Sequence, residues 1–98
     1  MNEKELIELF GLENVWGVCD KIVKVLRSLR THQGVPVGRN KRVEQYEVAV
    51  KYLMGKGFID FEKGRKLIEA IRQDSVETIR SILHIASSDK DKVKVWLL

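Results

Sequence analysis

The spacing of apolar residues between Val15 and Leu29 constrains this 98-residue chain more than any other feature. Val15, Val18, Cys19, Ile22, Val25, Leu26 and Leu29 recur three and four residues apart. At about 100° per residue they fall on one stripe of a helix. Lys24 and Arg27 lie opposite that stripe, and Lys21 and Arg30 flank it. Asn14 stands where an N-cap belongs, and the pattern runs to about Thr31. Such a helix must bury its stripe against other elements, so the rest of the chain has to supply amphipathic partners.

Four further segments carry a helical period. Residues 2–10 place Leu6, Ile7, Leu9 and Phe10 together, and Gly11 follows as a stop. The stretch "HQGVPVGRN" then breaks continuity with Gly34, Pro36 and Gly38. Asn40 is expected to cap a helix from Lys41 to Met54 with Val43, Tyr46, Val50, Leu53 and Met54 inward, ended by Gly55 and Gly57. Asp60 is expected to cap a helix to about Gln73 that turns in Phe61, Leu67, Ile68 and Ile71. Gly64 in its second turn should weaken it by about 1 kcal/mol relative to Ala. Asp74 and Glu77 form a capping-box pattern for a fifth helix, with Val76, Ile79, Ile82, Leu83 and Ile85 inward. In the tail, Val93 and Val95 alternate with lysines as a strand would, whereas Asp89 would cap a short helix. The expected fold is all-α: a compact single-domain bundle of five to six short helices spanning residues 1–98.

A second fold reading comes from "AVKYLMGKGFIDFEKGRKLIEAI", about a quarter of the chain. In rhythm it resembles the end of a winged helix–turn–helix domain. Leu53, Gly57, Phe58 and Ile59 would close a recognition helix, and Glu62-Lys63-Gly64-Arg65 would turn a basic hairpin. That resemblance implies a wing where the spacing of Phe61, Ile68 and Ile71 implies a helix.

Charge is distributed unevenly. Residues 1–20 carry a net charge of −4, residues 21–42 a net +7 without one acid, and residues 43–98 a net +1. A local excess of this kind marks a binding patch for anions. Lys41 and Arg42 also sit in the first turn of their expected helix, where the dipole disfavours cations by about 0.3–1 kcal/mol each. An external anion would offset that cost.

Catalytic chemistry finds no support. General acid–base or nucleophilic work needs convergent groups. The lone Cys19 lies on an apolar stripe, His32 ends one helix, and His84 lies at the edge of another. Two separated histidines and one cysteine have no zinc spacing. "GVPVGRNK" lacks the phosphate-loop spacing, and Ser87-Ser88-Asp89 reads as a helix stop and cap. The expectation is therefore a protein that is not an enzyme and has no catalytic residue, metal or cofactor. No apolar run is long enough to span a membrane. The acidic N-terminus lacks the basic region of a signal peptide, and one cysteine fits a reducing compartment. An intracellular, cytoplasmic location follows as the expectation.

Two functions fit these features. The first is a small basic accessory or regulatory protein that binds nucleic acid through residues 24–42. Lys24, Arg27, Arg30, Arg39, Lys41 and Arg42 would meet phosphates, with His32, Gln33 and Asn40 assisting. With no aromatic residue placed in the patch, a duplex is favoured over a single strand. The second is a helical adaptor or assembly subunit that uses the apolar terminal strip Val95, Trp96, Leu97 and Leu98 as an interface; the alternative for that strip is to close the protein's own core. The acidic first helix could face the basic patch of a second copy, which makes a homodimer the expected assembly. An acidic protein is the other expected partner.

Overall fold

The structure, a computed structural model, describes residues 1–33 and 39–96, and among these the side chains of all but 30–33, 39 and 40. Six helices follow in order: α1 (Glu3–Phe10), α2 (Val15–Gln33), α3 (Arg39–Gly55), α4 (Phe61–Gln73), α5 (Ser75–Ser87) and α6 (Lys90–Val93). No strand occurs among the described residues. The protein is an all-α helical bundle.

Local chemistry accounts for most boundaries. Asn2 and Glu5 close a full capping box on α1: the Glu5 amide donates to Asn2 Oδ1 at 2.8 Å, and the Asn2 amide donates to Glu5 Oε1 at 3.1 Å. Gly11 ends that helix with φ +88°, which only glycine adopts without strain, and its amide donates to the Ile7 carbonyl at 2.7 Å. At the other end of α3, the Gly57 amide donates to Met54 O and the Phe58 amide donates to Leu53 O. With Gly57 at φ +79°, these two bonds form a Schellman motif. The Asp60 side chain caps α4 through the Lys63 amide, and Asp89 caps α6 through the Asp91 amide.

The long helix α2 lies at the centre, packed on α3 and α5. The helix α4 completes the bundle against α3 and α5, and α1 closes over α5 and α2. Ile22, Tyr46, Leu67, Ile71, Ile82 and Ile85 are sealed in the core. Each such side chain contributes about 1.5–3 kcal/mol by leaving water. Across α3 and α4, Arg72 forks onto the Glu47 carboxylate. Hydrogen bonding from Arg72, opposed by partial burial, holds the Glu47 carboxyl below its ordinary value.

Several details depart from expectation. The helix α3 starts at Arg39, so Asn40 lies inside it and is not its cap. Residues Glu62 to Arg65, the expected wing turn, are the first turns of α4, and the winged arrangement is excluded. Phe61 is 65% exposed at the start of α4, ahead of the contact that α4 makes with Met54 of α3. That contact is at Gly64, where an added Cβ would collide with the Sδ and Cγ of Met54. The glycine therefore gives room to the Met54 side chain, which a Cβ here would force to move. Asp74 occupies the N-cap of α5 but makes no side-chain cap bond. Its carboxylate lies 3.4 Å from the Met1 amino group. Val76 and Leu83 are exposed, not inward, because they line the flank of α5 that α3 does not reach. Buried Thr78 and Ser81 instead accompany Ile79, Ile82 and Ile85. The tail forms helix, with Val93 fully buried and Val95 exposed.

Candidate nucleic-acid interface

The basic segment spans the second half of α2 and the start of α3. Only five residues, 34–38, separate these two helices, so the end of one and the start of the other lie at the same end of the bundle. On α2, Lys21, Lys24 and Arg27 are exposed. Asp20, one turn before Lys24, meets its ammonium at 2.9 Å and neutralises part of its charge. On α3, Lys41 and Arg42 are exposed, and the first turn of the helix contains no acid. Since α3 begins at Arg39, that residue also belongs to the turn where the dipole opposes positive charge. The side chains of Arg30, His32, Gln33, Arg39 and Asn40 lie outside the described residues. Gln45 Oε1 is buried and has no hydrogen-bond donor among the described residues, so this amide oxygen does not face a ligand.

Arg42 also borders an open groove of about 670 Å³ between the start of α3 and the outer flank of α5. Val43, Val76, Ile79 and Leu83 are its apolar lining, and Arg80 and His84 line it too. The exposed flank of α5 thus belongs to the same end of the molecule as the first turn of α3.

Sequence reasoning missed a second feature next to α2. At the α3–α4 corner, Tyr52 and Phe58 are 52% and 54% exposed. The Lys21 ammonium sits 4.3 Å above the Phe58 ring, and Lys56 sits 5.6 Å above the Tyr52 ring. Arg65 repeats the arrangement over the exposed Phe61 at 5.8 Å. The Tyr52–Lys56 and Phe61–Arg65 pairs are legible as i,i+4 spacings. Lys21 and Phe58 lie 37 positions apart, and no local signal joins them.

No family model, curated protein or solved structure matches the chain.

The other singled-out residues have internal roles. Cys19 is buried, and desolvation pushes its thiol up to about 12, which removes it as a nucleophile. No group of His, Cys, Asp and Glu is arranged to hold a metal among the described residues. His84 Nδ1 lies 3.0 Å from Glu3 Oε1, and its ring stacks on Trp96 at 5.0 Å. Trp96 is half-buried against the core, whereas Val95 is exposed. Leu97 and Leu98 lie outside the described residues. The other tryptophan, Trp16, donates from Nε1 to the Ser88 carbonyl at 2.8 Å. No described helix is long and apolar enough to cross a membrane.

Proposed function

We propose that this protein binds nucleic acid through the cationic surface formed by α2 and the first turn of α3. One observation carries the reading: a segment with net charge +7 and no acid, whose described cations Lys21, Lys24, Arg27, Lys41 and Arg42 are all exposed. Each phosphate neutralised by such a side chain releases condensed counterions, so the affinity should fall steeply with salt. Contacts of this kind position the protein on a backbone and carry no sequence information directly. Charge density alone favours a duplex, since it presents twice the phosphates per unit length. Arg39, Asn40, Gln33, His32 and Arg30 belong to the same segment and would extend the contact.

The test is a salt titration of binding to a labelled duplex and a labelled single strand. Lys41→Glu combined with Arg42→Glu should lower affinity at least tenfold and make the log–log salt slope shallower by about two. If the wild-type protein binds neither probe at low salt, the reading is wrong.

The adaptor reading has a structural basis of its own in the groove between α3 and α5. Exposed Val76 and Leu83 line it together with Arg42 and Arg80, a lining suited to an apolar segment with acidic flanks. A homodimer would also find apolar area there and at Val95. Leu83→Asn should abolish protein association while leaving nucleic-acid affinity unchanged, read by mass measurement and the same titration.

A further inference from the structure

We infer that the α3–α4 corner is a stacking site for unpaired bases of a single-stranded nucleic acid. Phe58 and Tyr52 would be the platforms, and Lys21 and Lys56 the phosphate partners. The inference rests on the nucleic-acid reading above and narrows it from the duplex that charge alone favours to a single strand.

The position of Phe58 is set by backbone, not by burial. In a Schellman motif the residue after the left-handed glycine commonly packs back on the helix. Here Phe58 is in that place, yet its ring is turned out and the next residue, Ile59, is 3% exposed and fills the core. The motif's two amide bonds, from Gly57 and Phe58 into the last turn of α3, hold the ring at the surface. Tyr52 stands on that same last stretch of α3, and the Lys56 amide donates to its carbonyl. Two exposed aromatic residues are thereby carried on hydrogen-bonded backbone within seven residues.

Charge completes the site. Lys21 reaches Phe58 from α2, the helix that carries the basic segment, and Lys24 follows it by three residues. Of the acids flanking these residues in the chain, Asp20 pairs with Lys24 and Asp60 accepts from the Lys63 amide at the cap of α4, while Glu62 lines the α4 side with Lys51, Arg65 and Lys66. An ammonium over an exposed ring adds only a few-fold to an equilibrium. A stacked base contributes from about fivefold to more than a hundredfold. A base therefore displaces the lysine from the ring face, and the released ammonium remains within reach of the adjoining phosphate. A duplex keeps its bases stacked on one another and cannot use these faces. Phe61 under Arg65 offers the same pairing at the start of α4.

The experiment measures binding of the full chain to a mixed-sequence single-stranded 20-mer and to the matching duplex at one salt concentration. Tyr52→Leu with Phe58→Leu should weaken single-strand binding at least tenfold, change duplex binding less than twofold and leave the salt slope unaltered. Tyr52→Phe with Phe58→Tyr, which keeps both rings, should bind as the wild type does. A probe carrying 5-iodouracil gives an independent reading on the unmodified protein, with photocrosslinks expected at Tyr52 or Phe58. Undiminished single-strand binding by the leucine variant, equal loss on both probes, or crosslinks confined to other residues would each overturn the inference and leave the nucleic-acid reading standing. Absence of binding by the wild type to either probe overturns both.

Discussion

The indole of Trp96 stacks on the imidazole of His84, with ring centroids 5.0 Å apart and planes inclined by 17°. This contact ties the tail beyond α6 to the last turn of α5, while Glu3 of α1 meets the imidazole at Nδ1. A stacked pair contributes about 0.5–1.5 kcal/mol beyond its buried area. His84→Ala and Trp96→Ala, measured singly and together by urea unfolding, should show a coupling of that size. Additive effects would mean that the two rings merely lie close.

Gly64 and Met54 should also be coupled. Alanine is intrinsically better than glycine in a helix by about 1 kcal/mol, yet a Cβ at Gly64 would run into Met54. Gly64→Ala is therefore expected to destabilise the wild-type protein by about 1–3 kcal/mol through overpacking. In a Met54→Ala background the same change should stabilise by about 1 kcal/mol. The same sign in both backgrounds would refute this account of the α3–α4 contact.

The bond between Arg72 and Glu47 makes part of the stability pH-dependent. Arg72 holds the Glu47 carboxyl below its ordinary value in the folded protein. The contribution is thus present above the ordinary carboxylate range and is lost as pH falls through the lowered folded value. Glu47→Gln should lower the urea midpoint at neutral pH and match the wild type in strong acid. A difference that persists unchanged in acid would point to packing instead of charge.

Cys19 should be silent in the native protein. With its thiol pushed up to about 12 by burial, the thiolate fraction near pH 8 falls on the order of a thousandfold below that of a free cysteine. Labelling by a thiol-specific disulfide reagent should proceed only as fast as the protein opens, and immediately in denaturant. Because the folded value is raised, stability should decline as pH climbs from the ordinary thiol range towards 12, where only the unfolded chain ionises. Rapid stoichiometric labelling of folded protein would contradict the burial of this residue.

Most helices were legible because their signals are local. The stripe from Val15 to Leu29, the stop at Gly11 and the caps at Asp60 and Asp89 each depend on residues within a turn or two. The capping box of Asn2 and Glu5 is an equally local signal, three residues apart. Phe61, Val76 and Leu83 show where periodicity stops being informative. All three lie at the edge of an apolar stripe, and a stripe does not say how far the neighbouring helix extends.

The basic segment was likewise readable from composition, since charge excess needs no tertiary knowledge. The aromatic faces beside it were not. Lys21 meets Phe58 only because α2 packs along α3 and a glycine-dependent turn points the ring outward. By itself, then, the sequence determined the all-α class, those helix ends that carry a local stop or cap, and the location of positive charge, all through interactions between near neighbours along the chain. Tertiary structure alone decided that Met54 needs a glycine opposite it, that His84 receives Trp96, that α5 leaves one apolar flank open, and that a lysine of α2 covers an aromatic ring at the α3–α4 corner. Each of these depends on the relative placement of two helices, which the burial of several apolar faces at once sets and no single segment encodes.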